Sequence, residues 1–354
     1  MKKIIVIGAG IVGVSTAIWL QRSGFKVTII DQKGPATGAS HGNAGILAAS
    51  SIIPVPNPSL IKKLPFFLLS KNSPVFFKMS YLPKMFPFLM SYLSKSNLRE
   101  VNKYAERMTP LIFDTVCQHK SLSKGTGAEK FISNQDYCFG YETEKNFIND
   151  KKVWKLRQKH GLPFEVVTGN EFSKFDPFYK DLFDVIVKCK NHGKISDPGL
   201  YVKTLCDHFL SQGGKLIISK VDDILSKNLN DVIVKIESDS LIANKIVVAT
   251  GAWSKKILKK FKIKMPLESE RGYHIEYVGP NFYPKVPMML TSKKFVITPM
   301  DGRIRVAGLV EFAGLKALKR KPPLNLLRNK IKDLFPDLNC EEKIEWLGHR
   351  PALV

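Results

Sequence analysis

The first 31 residues alternate between apolar strand-like runs and one helix-like stretch. Ile4–Ile7 is short, apolar and β-branched, which is typical of a buried parallel strand. Apolar residues at helical spacing follow over Val12–Ser23 and stop at Gly24. A second apolar run, Phe25–Ile30, ends at Asp31. The pattern predicts a strand–helix–strand unit at the start of the chain.

Three glycines of this unit form a Gly-x-Gly-x-x-Gly motif, at Gly8, Gly10 and Gly13. The first permits a tight turn, the second lets a pyrophosphate approach the backbone, and the third lets the helix pack closely on the strand. Val12 lies in the first helical turn, whose free N–H groups attract phosphates. Asp31, 18 residues beyond the last glycine, can accept hydrogen bonds from both ribose hydroxyls and repel a 2′-phosphate. These five residues predict a dinucleotide site, for FAD or for NAD.

A small, polar, Gly-rich stretch, Gly38–Gly45, follows this unit, where a nicotinamide-binding fold normally continues with another strand and helix. Its backbone can wrap closely around a ligand. A flexible surface loop has the same composition and remains the alternative.

Two later segments have the same α/β character. An apolar strand ends at Thr250 and Gly251 before a helix, and this glycine allows a dinucleotide to approach the edge of a sheet. A helix over Gly199–Gln212 leads through two glycines to a strand over Lys215–Ser219, and the backbone of Val221 beyond it could bond an adenine edge. Taken alone, each is also an ordinary α/β connection.

In chain order, these segments resemble the D-amino-acid oxidase-like superfamily of FAD-dependent oxidoreductases, and most closely its D-amino-acid dehydrogenase branch, near the glycine and sarcosine oxidases. The resemblance covers essentially the whole chain and implies non-covalently bound FAD. It implies an α/β fold in which a Rossmann-like FAD-binding domain is interleaved with an antiparallel-sheet substrate domain. Beyond the first unit, the positions that match the family's cofactor contacts are Ser40, Asn43, Ala44, Gly45, Val221, Thr250 and Gly251.

The resemblance also implies a discontinuous domain organisation. We expect the FAD-binding domain to comprise residues 1–55, 195–268 and 345–354, and the substrate and helical domain to comprise residues 56–194 and 269–344. The strands predicted for the substrate sheet are Tyr137–Glu142, Val185–Lys190, Gly272–Val278, Lys294–Pro299 and Arg303–Leu309. The pair Phe295–Thr298 and Ile304–Ala307 is predicted to form a hairpin, and Leu324–Phe335 a helix.

Tyr273 and His274 lie on one of these strands, so their side chains point to opposite faces, with Ile275 beside the first and Glu276 beside the second. A half-buried sheet with a packed tyrosine and a solvated histidine gives the same alternation. The resemblance places this strand beside the substrate, which implies that Tyr273 or His274 lines the catalytic pocket.

Arg350 lies in the segment Gly348–Ala352, and an exposed arginine in a turn is the ordinary interpretation of such a residue. The resemblance implies instead that Arg350 holds the substrate carboxylate, because a guanidinium pairs with a carboxylate through two parallel hydrogen bonds.

The activity implied by the resemblance is oxidation of an amino acid, in its D form, by hydride transfer from Cα to flavin N5, which gives a 2-oxo acid and ammonia. Activity should rise with pH because the amine must first lose its proton. A secondary-amine oxidase or dehydrogenase acting on sarcosine, glycine, proline or hydroxyproline is the enzymatic alternative. A non-catalytic basic nucleotide-binding protein is the alternative of another class. No metal site is expected, since His41, His274 and His349 lack metal-ligand spacing.

Composition adds a strong positive charge. The 354 residues include 55 Lys and Arg against 31 Asp and Glu, a net charge of +24, and 44% are apolar, which is enough for a globular core. Five scattered cysteines without a Cys-x-x-Cys pair suit a reducing cytosol. Because 45 of the cations are lysines spread along the chain, we do not assign the charge to nucleic-acid binding.

The region between Asp31 and Glu100 has no acidic residue, and residues 60–93 are rich in Leu, Phe, Met and Tyr and broken by prolines. Such a segment suits the surface of an anionic membrane, or equally helices packed on the domain. The resembled dehydrogenases imply a cytoplasmic enzyme in peripheral contact with the inner face of the plasma membrane that passes electrons to quinone. The sequence stops at Val354, where the resembled proteins continue with a Gly-rich segment, so we expect a C-terminally truncated chain that binds FAD weakly.

Overall fold

The computed structural model describes residues 1–54, 73–228 and 230–354. Its strands are β1 (Lys3–Ile7), β2 (Lys26–Asp31), β3 (Ile46–Leu47), β4 (Val75–Phe77), β5 (Ile132–Asn134), β6 (Tyr137–Tyr141), β7 (Phe164–Thr168), β8 (Val185–Cys189), β9 (Gly193–Ile195), β10 (Lys215–Ile218), β11 (Val221–Ser226), β12 (Val232–Ile236), β13 (Asp239–Ala243), β14 (Lys245–Val248), β15 (Leu267–Val278), β16 (Met288–Leu290), β17 (Phe295–Met300), β18 (Arg303–Phe312) and β19 (Glu342–Leu353). Its helices are α1 (Ile11–Arg22), α2 (Leu82–Ser94), α3 (Leu98–Ile112), α4 (Thr115–Ser123), α5 (Glu144–Asn149), α6 (Lys151–Lys159), α7 (Gly169–Phe175), α8 (Pro198–Ser211), α9 (Ser254–Lys260) and α10 (Lys321–Leu334).

A parallel sheet with the order β10-β2-β1-β14 carries the predicted strand–helix–strand unit, which is confirmed. Apolar side chains of α1 and α8 cover one face of this sheet, and the antiparallel strands β11, β12 and β13 cover the other. Val6 and Ile29 at its centre are fully buried, as expected for strands that are covered on both sides. This half of the molecule is the Rossmann-like layer that the motif implied.

The turn between β1 and α1 is built for glycine. Gly8 has φ +110°, and a Cβ there would lie 2.5 Å from the carbonyl oxygen of Ala249 on the neighbouring strand connection. A Cβ at Gly13 would lie 1.8 Å from the carbonyl oxygen of Gly8. The close approach of the helix to the strand therefore depends on the absence of side-chain atoms at both positions.

A larger sheet forms the second layer. Its order is β19-β15-β18-β17-β16-β6-β8-β7, and β4 pairs with β18. One face packs against α10 through Leu324, Leu327 and Ile331. The predicted hairpin is confirmed, since Thr298 lies opposite Arg305 in the antiparallel pair of β17 and β18. The opposite face of β15 meets the glycine-rich loop of the first layer.

Strand boundaries differ from the prediction at the C-terminal end. β15 begins at Leu267 and β19 runs along all of it, so the segment around Arg350 is strand and the interpretation as a turn is wrong. Pro351 did not prevent this, because β19 lies at the edge of the sheet, where a missing N–H is tolerated. The proposed domain division remains a prediction; residues 345–353 pair with the large sheet rather than with the parallel one.

The basic, proline-broken segment is described in part. Residues 55–72, including Lys62, Lys63 and Lys71, lie outside the described residues. α2 carries a proline in its first turn and Pro87 inside, and it packs Met85, Phe88 and Tyr92 against the large sheet. Over the ranges that the structure describes, every helix is too short or too polar to cross a bilayer.

Replacing Gly13 by alanine should lower the free energy of unfolding by more than about 2 kcal/mol, because the new Cβ has no room beside the Gly8 carbonyl. Chemical denaturation monitored by circular dichroism measures it. Gly38→Ala is the matched control, since a Cβ at Gly38 meets no atom within 4 Å. Equal stabilities of the two variants would contradict the packing argument.

Candidate functional site

The start of α1 lies at the carboxyl end of β1, behind Gly10. Gly10, the N-cap, has no side chain, and no acidic residue occupies the first turn. The Ser40 hydroxyl takes the Ile11 amide, and the N–H groups that follow it are available to an anion. Val12 points outward and is 64% exposed. These observations fit a pyrophosphate at this end of the helix, as the glycine motif predicted.

Asp31, the last residue of β2, turns its carboxylate toward the glycine turn. One oxygen accepts a hydrogen bond from the Ala9 amide at 2.9 Å. The other accepts from the amides of Lys33 and Gly34 at 2.8 and 3.0 Å. These bonds hold the carboxylate beside the turn, at the position where the motif places a ribose.

The glycine-rich loop docks on the same helix end. The Ser40 hydroxyl accepts from the Ile11 amide at 2.9 Å. The Asn43 side chain accepts from the Gly45 amide at 2.8 Å and donates to the Ser40 carbonyl at 3.1 Å. Ala44 lies between these contacts, half-buried. The loop is therefore internally bonded, is joined to the helix end and continues into β3, which favours a ligand-wrapping segment over a flexible surface loop.

Arg305 ties this loop to the large sheet. Its guanidinium is fully buried and donates to the carbonyl oxygens of His41 and Asn43 at 3.1 and 2.6 Å, and to the Glu276 carboxylate at 2.8 Å. Although burial alone would raise the pKa of Glu276, Arg305 and Arg303 hold that pKa below its usual value. Arg305 was not predicted from the sequence because no motif surrounds it; its position opposite Glu276 on a neighbouring strand was the available signal.

A second arginine fixes the start of α8. Arg303 donates to Asp197 at 2.8 Å, and Asp197 in turn accepts from the Leu200 amide as the N-cap of α8. The start of α8 is thus held to the same sheet as the loop.

The remaining predicted cofactor positions lie on the parallel-sheet side. Val221 begins β11 at a register shift. Thr250 follows β14, with its hydroxyl 3.1 Å from that of Ser254, and Gly251 has φ +53°. Thr250 and Gly251 therefore flank the turn that touches Gly8, whereas Val221 lies on the neighbouring meander. Contacts of all these residues with FAD remain a prediction.

One face of the β15–β19 pair carries the substrate-side candidates. Gly272 lies directly opposite Gly348, and Glu270 lies directly opposite Arg350. Arg350 lies across Gly272, where a Cβ would be 3.0 Å from its Nε, and it donates to the Leu309 carbonyl at 2.6 Å. Arg350 keeps an exposed surface, yet burial by surrounding protein lowers the pKa of its guanidinium. The side chain is therefore packed among protein atoms and keeps an accessible surface, and we call this side of the β15–β19 face, from Arg350 to His274, the recess.

His274 lies on this same face, next to the glycine-rich loop. Its Nδ1 is 3.0 Å from the Gly42 carbonyl oxygen, and its ring stacks on Trp346 with centroids 5.0 Å apart. Burial, with a further contribution from Arg305, lowers the pKa of His274 to about 4. The ring is therefore neutral at physiological pH, and Nδ1 donates its proton to Gly42. Trp346, which was not predicted as a site residue, also lies across Gly348.

Tyr273 occupies the opposite face. Its side chain is buried in the apolar core, and its hydroxyl donates to Glu311 at 2.6 Å. Glu311 also pairs with Arg271 and Arg320 at 3.1 and 3.0 Å. The structure thus brings His274 and Arg350 to one face and leaves Tyr273 in a buried ionic cluster behind them, so Tyr273 gains no support as a pocket residue.

The low pKa of His274 predicts an acid-dependent loss of stability. The unfolded chain takes up this proton near pH 6.5 and the folded chain only near pH 4, so its contribution is complete above pH 6.5 and is lost as pH falls toward 4. When the pH falls from 7 to 4.5, the unfolding free energy of the parent protein should decrease by about 2 kcal/mol more than that of His274→Asn. Urea titrations at both pH values measure this, and equal losses would contradict the assignment.

Comparison with known proteins gives the family. A family model described as DAO, FAD dependent oxidoreductase, matches residues 3–354. A D-amino-acid oxidase of Bradyrhizobium diazoefficiens is 33% identical, over 99% of this chain and 85% of its own length. A D-amino acid dehydrogenase of Rhizobium rhizogenes is 26% identical over the same shares.

Solved structures show the same fold. The glycine oxidase of Geobacillus kaustophilus superposes with a TM-score of 0.72 at 16% identity, over 100% of this chain and 84% of that one. The L-proline dehydrogenase of P. horikoshii gives 0.69 at 17% identity, over 98% and 81%. The helix end, whose N-cap Gly10 has no side chain, and the glycine turn supply a cradle that suits the FAD pyrophosphate. Matched by the family model from residue 3 to residue 354, this chain belongs to the DAO family of FAD-dependent oxidoreductases.

Proposed function

We propose that this protein oxidises a D-amino acid to the corresponding imino acid, which water then converts to a 2-oxo acid and ammonia. The observation that carries the proposal is the position of Arg350, which lines a recess on the face of β15 and β19 that also holds His274 against the glycine-rich loop. The names of the relatives in Bradyrhizobium and Rhizobium support an amino-acid substrate.

Arg350 is proposed to bind the substrate carboxylate through two parallel hydrogen bonds. One of its nitrogens already donates to the Leu309 carbonyl, and this bond orients the guanidinium plane. Fixing the carboxylate in this way holds the Cα–H bond of the substrate in one direction. The bound substrate then spends less time in orientations that cannot react. Bound FAD supplies the hydride acceptor, the chemistry that no side chain of this chain provides.

His274 is proposed to be a positioning residue for the glycine-rich loop. Because its ring is neutral and donates to Gly42, it holds the glycine-rich loop against the sheet without adding a charge to the recess. Trp346 closes the same side with its ring. Together they separate the loop from the Arg350 side of the recess and exclude water from part of it.

Arg350→Met should lower kcat/KM for D-amino acids at least about 100-fold, because methionine fills similar space without carboxylate recognition. FAD content should be unchanged, since Arg350 lies on the sheet and not at the glycine turn. Arg328→Met, at an exposed position of α10, is the matched control and should retain activity. Steady-state kinetics with reconstituted FAD measure both variants, and a normal kcat/KM in Arg350→Met would refute the carboxylate role.

The secondary-amine alternative requires space in the recess beside the amine, because its substrates carry an alkyl group on nitrogen. Anaerobic flavin bleaching with D-amino acids, L-amino acids, sarcosine, proline and hydroxyproline separates the two. Bleaching by D-alanine-type substrates, with little by sarcosine or proline, is the expected result.

We also propose that the enzyme contacts an anionic membrane and reduces a quinone. The outer side of α2 supports the contact: Phe86 and Met90, one turn apart, are 59% and 51% exposed. Met79, just before the helix, is 74% exposed, and Lys78 and Lys84 are exposed nearby. Apolar side chains flanked by lysines are the combination that binds the interface of an anionic bilayer.

The double variant Phe86→Ser, Met90→Ser should bind vesicles containing phosphatidylglycerol at least about 10-fold more weakly, through the loss of two inserted apolar side chains. Vesicle co-sedimentation measures this, with Leu318→Ser, another exposed apolar site, as the control. Equal binding of the double variant and the parent would rule out this surface.

A peroxide assay tests the electron acceptor. Stoichiometric peroxide formed at a rate equal to that of quinone reduction would oppose the quinone proposal.

A further inference from the structure

Glu270 stands out among the acidic side chains of the large sheet. Its neighbour along the same face, Glu268, bonds to the Tyr81 hydroxyl with both oxygens, at 3.0 and 3.1 Å. Glu276 is bonded to Arg305. In the described part of the chain, Glu270 has neither a side-chain hydrogen bond nor an ion pair within 4.0 Å, although it is largely shielded from bulk solvent. A shielded carboxylate without a partner is costly unless a ligand satisfies it.

We propose that Glu270 accepts a hydrogen bond from the α-ammonium group of the substrate and then takes its proton. This inference rests on the proposed amino-acid substrate. It assigns the recess a complementary pair of charges, in which Arg350 binds the carboxylate and Glu270 binds the amine of the same zwitterion.

The cross-strand geometry supports this pairing. Glu270 and Arg350 are direct partners of the antiparallel ladder, so their Cβ atoms lie about 5 Å apart and both side chains leave the same face. Arg350 turns toward the Leu309 carbonyl, and the two charges remain separated. The carboxylate and ammonium groups of an α-amino acid are joined through a single carbon, so both can reach a cation and an anion placed side by side.

The charged and titratable surroundings of Glu270 are few. Among the described residues that pack around it, Arg350 comes from β19 and Tyr92 from α2, whereas the facing β18 contributes the backbone of Leu309. Burial raises the pKa of Glu270, and Arg350 partly opposes that rise. Burial also raises the pKa of Tyr92, which therefore stays a neutral hydroxyl beside the pair. A carboxylate with a raised pKa is a better base for an ammonium group than an ordinary one.

The proton balance is simple. An N–H bond of the substrate ammonium breaks, and an O–H bond forms on Glu270. The electron pair of that N–H bond stays on nitrogen, where it forms the C=N bond as the Cα hydrogen leaves with its own bonding pair. Deprotonation in the site frees the reaction from the pKa of the free amine, so turnover at neutral pH becomes efficient.

Glu270→Gln tests the proton transfer. Its kcat/KM for a D-amino acid should fall about 100-fold at pH 7 and recover roughly 10-fold for each unit of pH toward the pKa of the amine, since only the free amine then reacts. Glu270→Asp should keep the profile of the parent protein in shape, and Glu268→Gln is the matched buried control with an unshifted profile. A pH-independent loss in Glu270→Gln, or no loss, would overturn the proposal.

A ligand pair tests the contact without turnover. 2-Aminoisobutyrate has no Cα hydrogen and is not oxidised, and 2-methylpropanoate is its analogue without the amine. Perturbation of the flavin spectrum in reconstituted protein measures both affinities. Glu270→Gln should weaken 2-aminoisobutyrate about 10-fold and leave 2-methylpropanoate equal or tighter, because removing a nearby anion favours a carboxylate. Equal weakening of both would show a structural role and overturn the proposal.

The two measurements also separate this inference from the function on which it rests. If the parent protein bleached with no amino acid and bound neither ligand, the proposed function would fail. If it oxidised D-amino acids but Glu270→Gln behaved like the parent protein, the function would stand and the assignment of Glu270 would fail.

Discussion

A buried guanidinium holds the two halves of the site together. Arg305 takes its charge into a fully buried position, where an unpaired cation would cost several kcal/mol. Glu276 supplies the opposite charge, and two carbonyl oxygens of the glycine-rich loop accept the other hydrogen bonds of the Arg305 guanidinium. Because the loop belongs to the layer that carries the dinucleotide motif and Glu276 to the large sheet, this cluster holds the two layers together at the loop.

Local patterns predicted the first half of the molecule and the hairpin of the second. β1, α1 and β2 are defined by neighbours in sequence, so the spacing of apolar residues and glycines was enough. Arg305 and Trp346 were missed because their roles arise from contacts with residues more than 200 positions away. Alternation correctly divided Tyr273 from His274 but could not say which face meets the loop, since that depends on how the two layers pack.

Charge is used differently inside and outside this protein. The excess of cations is almost entirely lysine, which is strongly hydrated and suits an exposed surface. Three buried or half-buried arginines each lie beside a carboxylate: Arg305 with Glu276, Arg303 with Asp197 and Arg271 with Glu311. Arg350 and Glu270 are also neighbours of opposite charge, but no ion pair forms between them. At the open pair on β15 and β19, the two charged ends of a zwitterion would supply the partners that Arg350 and Glu270 lack.

The facing glycines of β15 and β19 have a consequence for how enzymes with this site diversify. Gly272 and Gly348 let Arg350 and Trp346 lie flat, so any larger residue at either position lifts a charge or a ring into the recess. Single substitutions at Gly272 or Gly348 therefore cannot alter the recess in small steps. Adjustment of side-chain preference is left to α2, which brings Tyr92 close to Glu270 and Arg350. New specificities in this scaffold should therefore be sought in α2 rather than in the sheet.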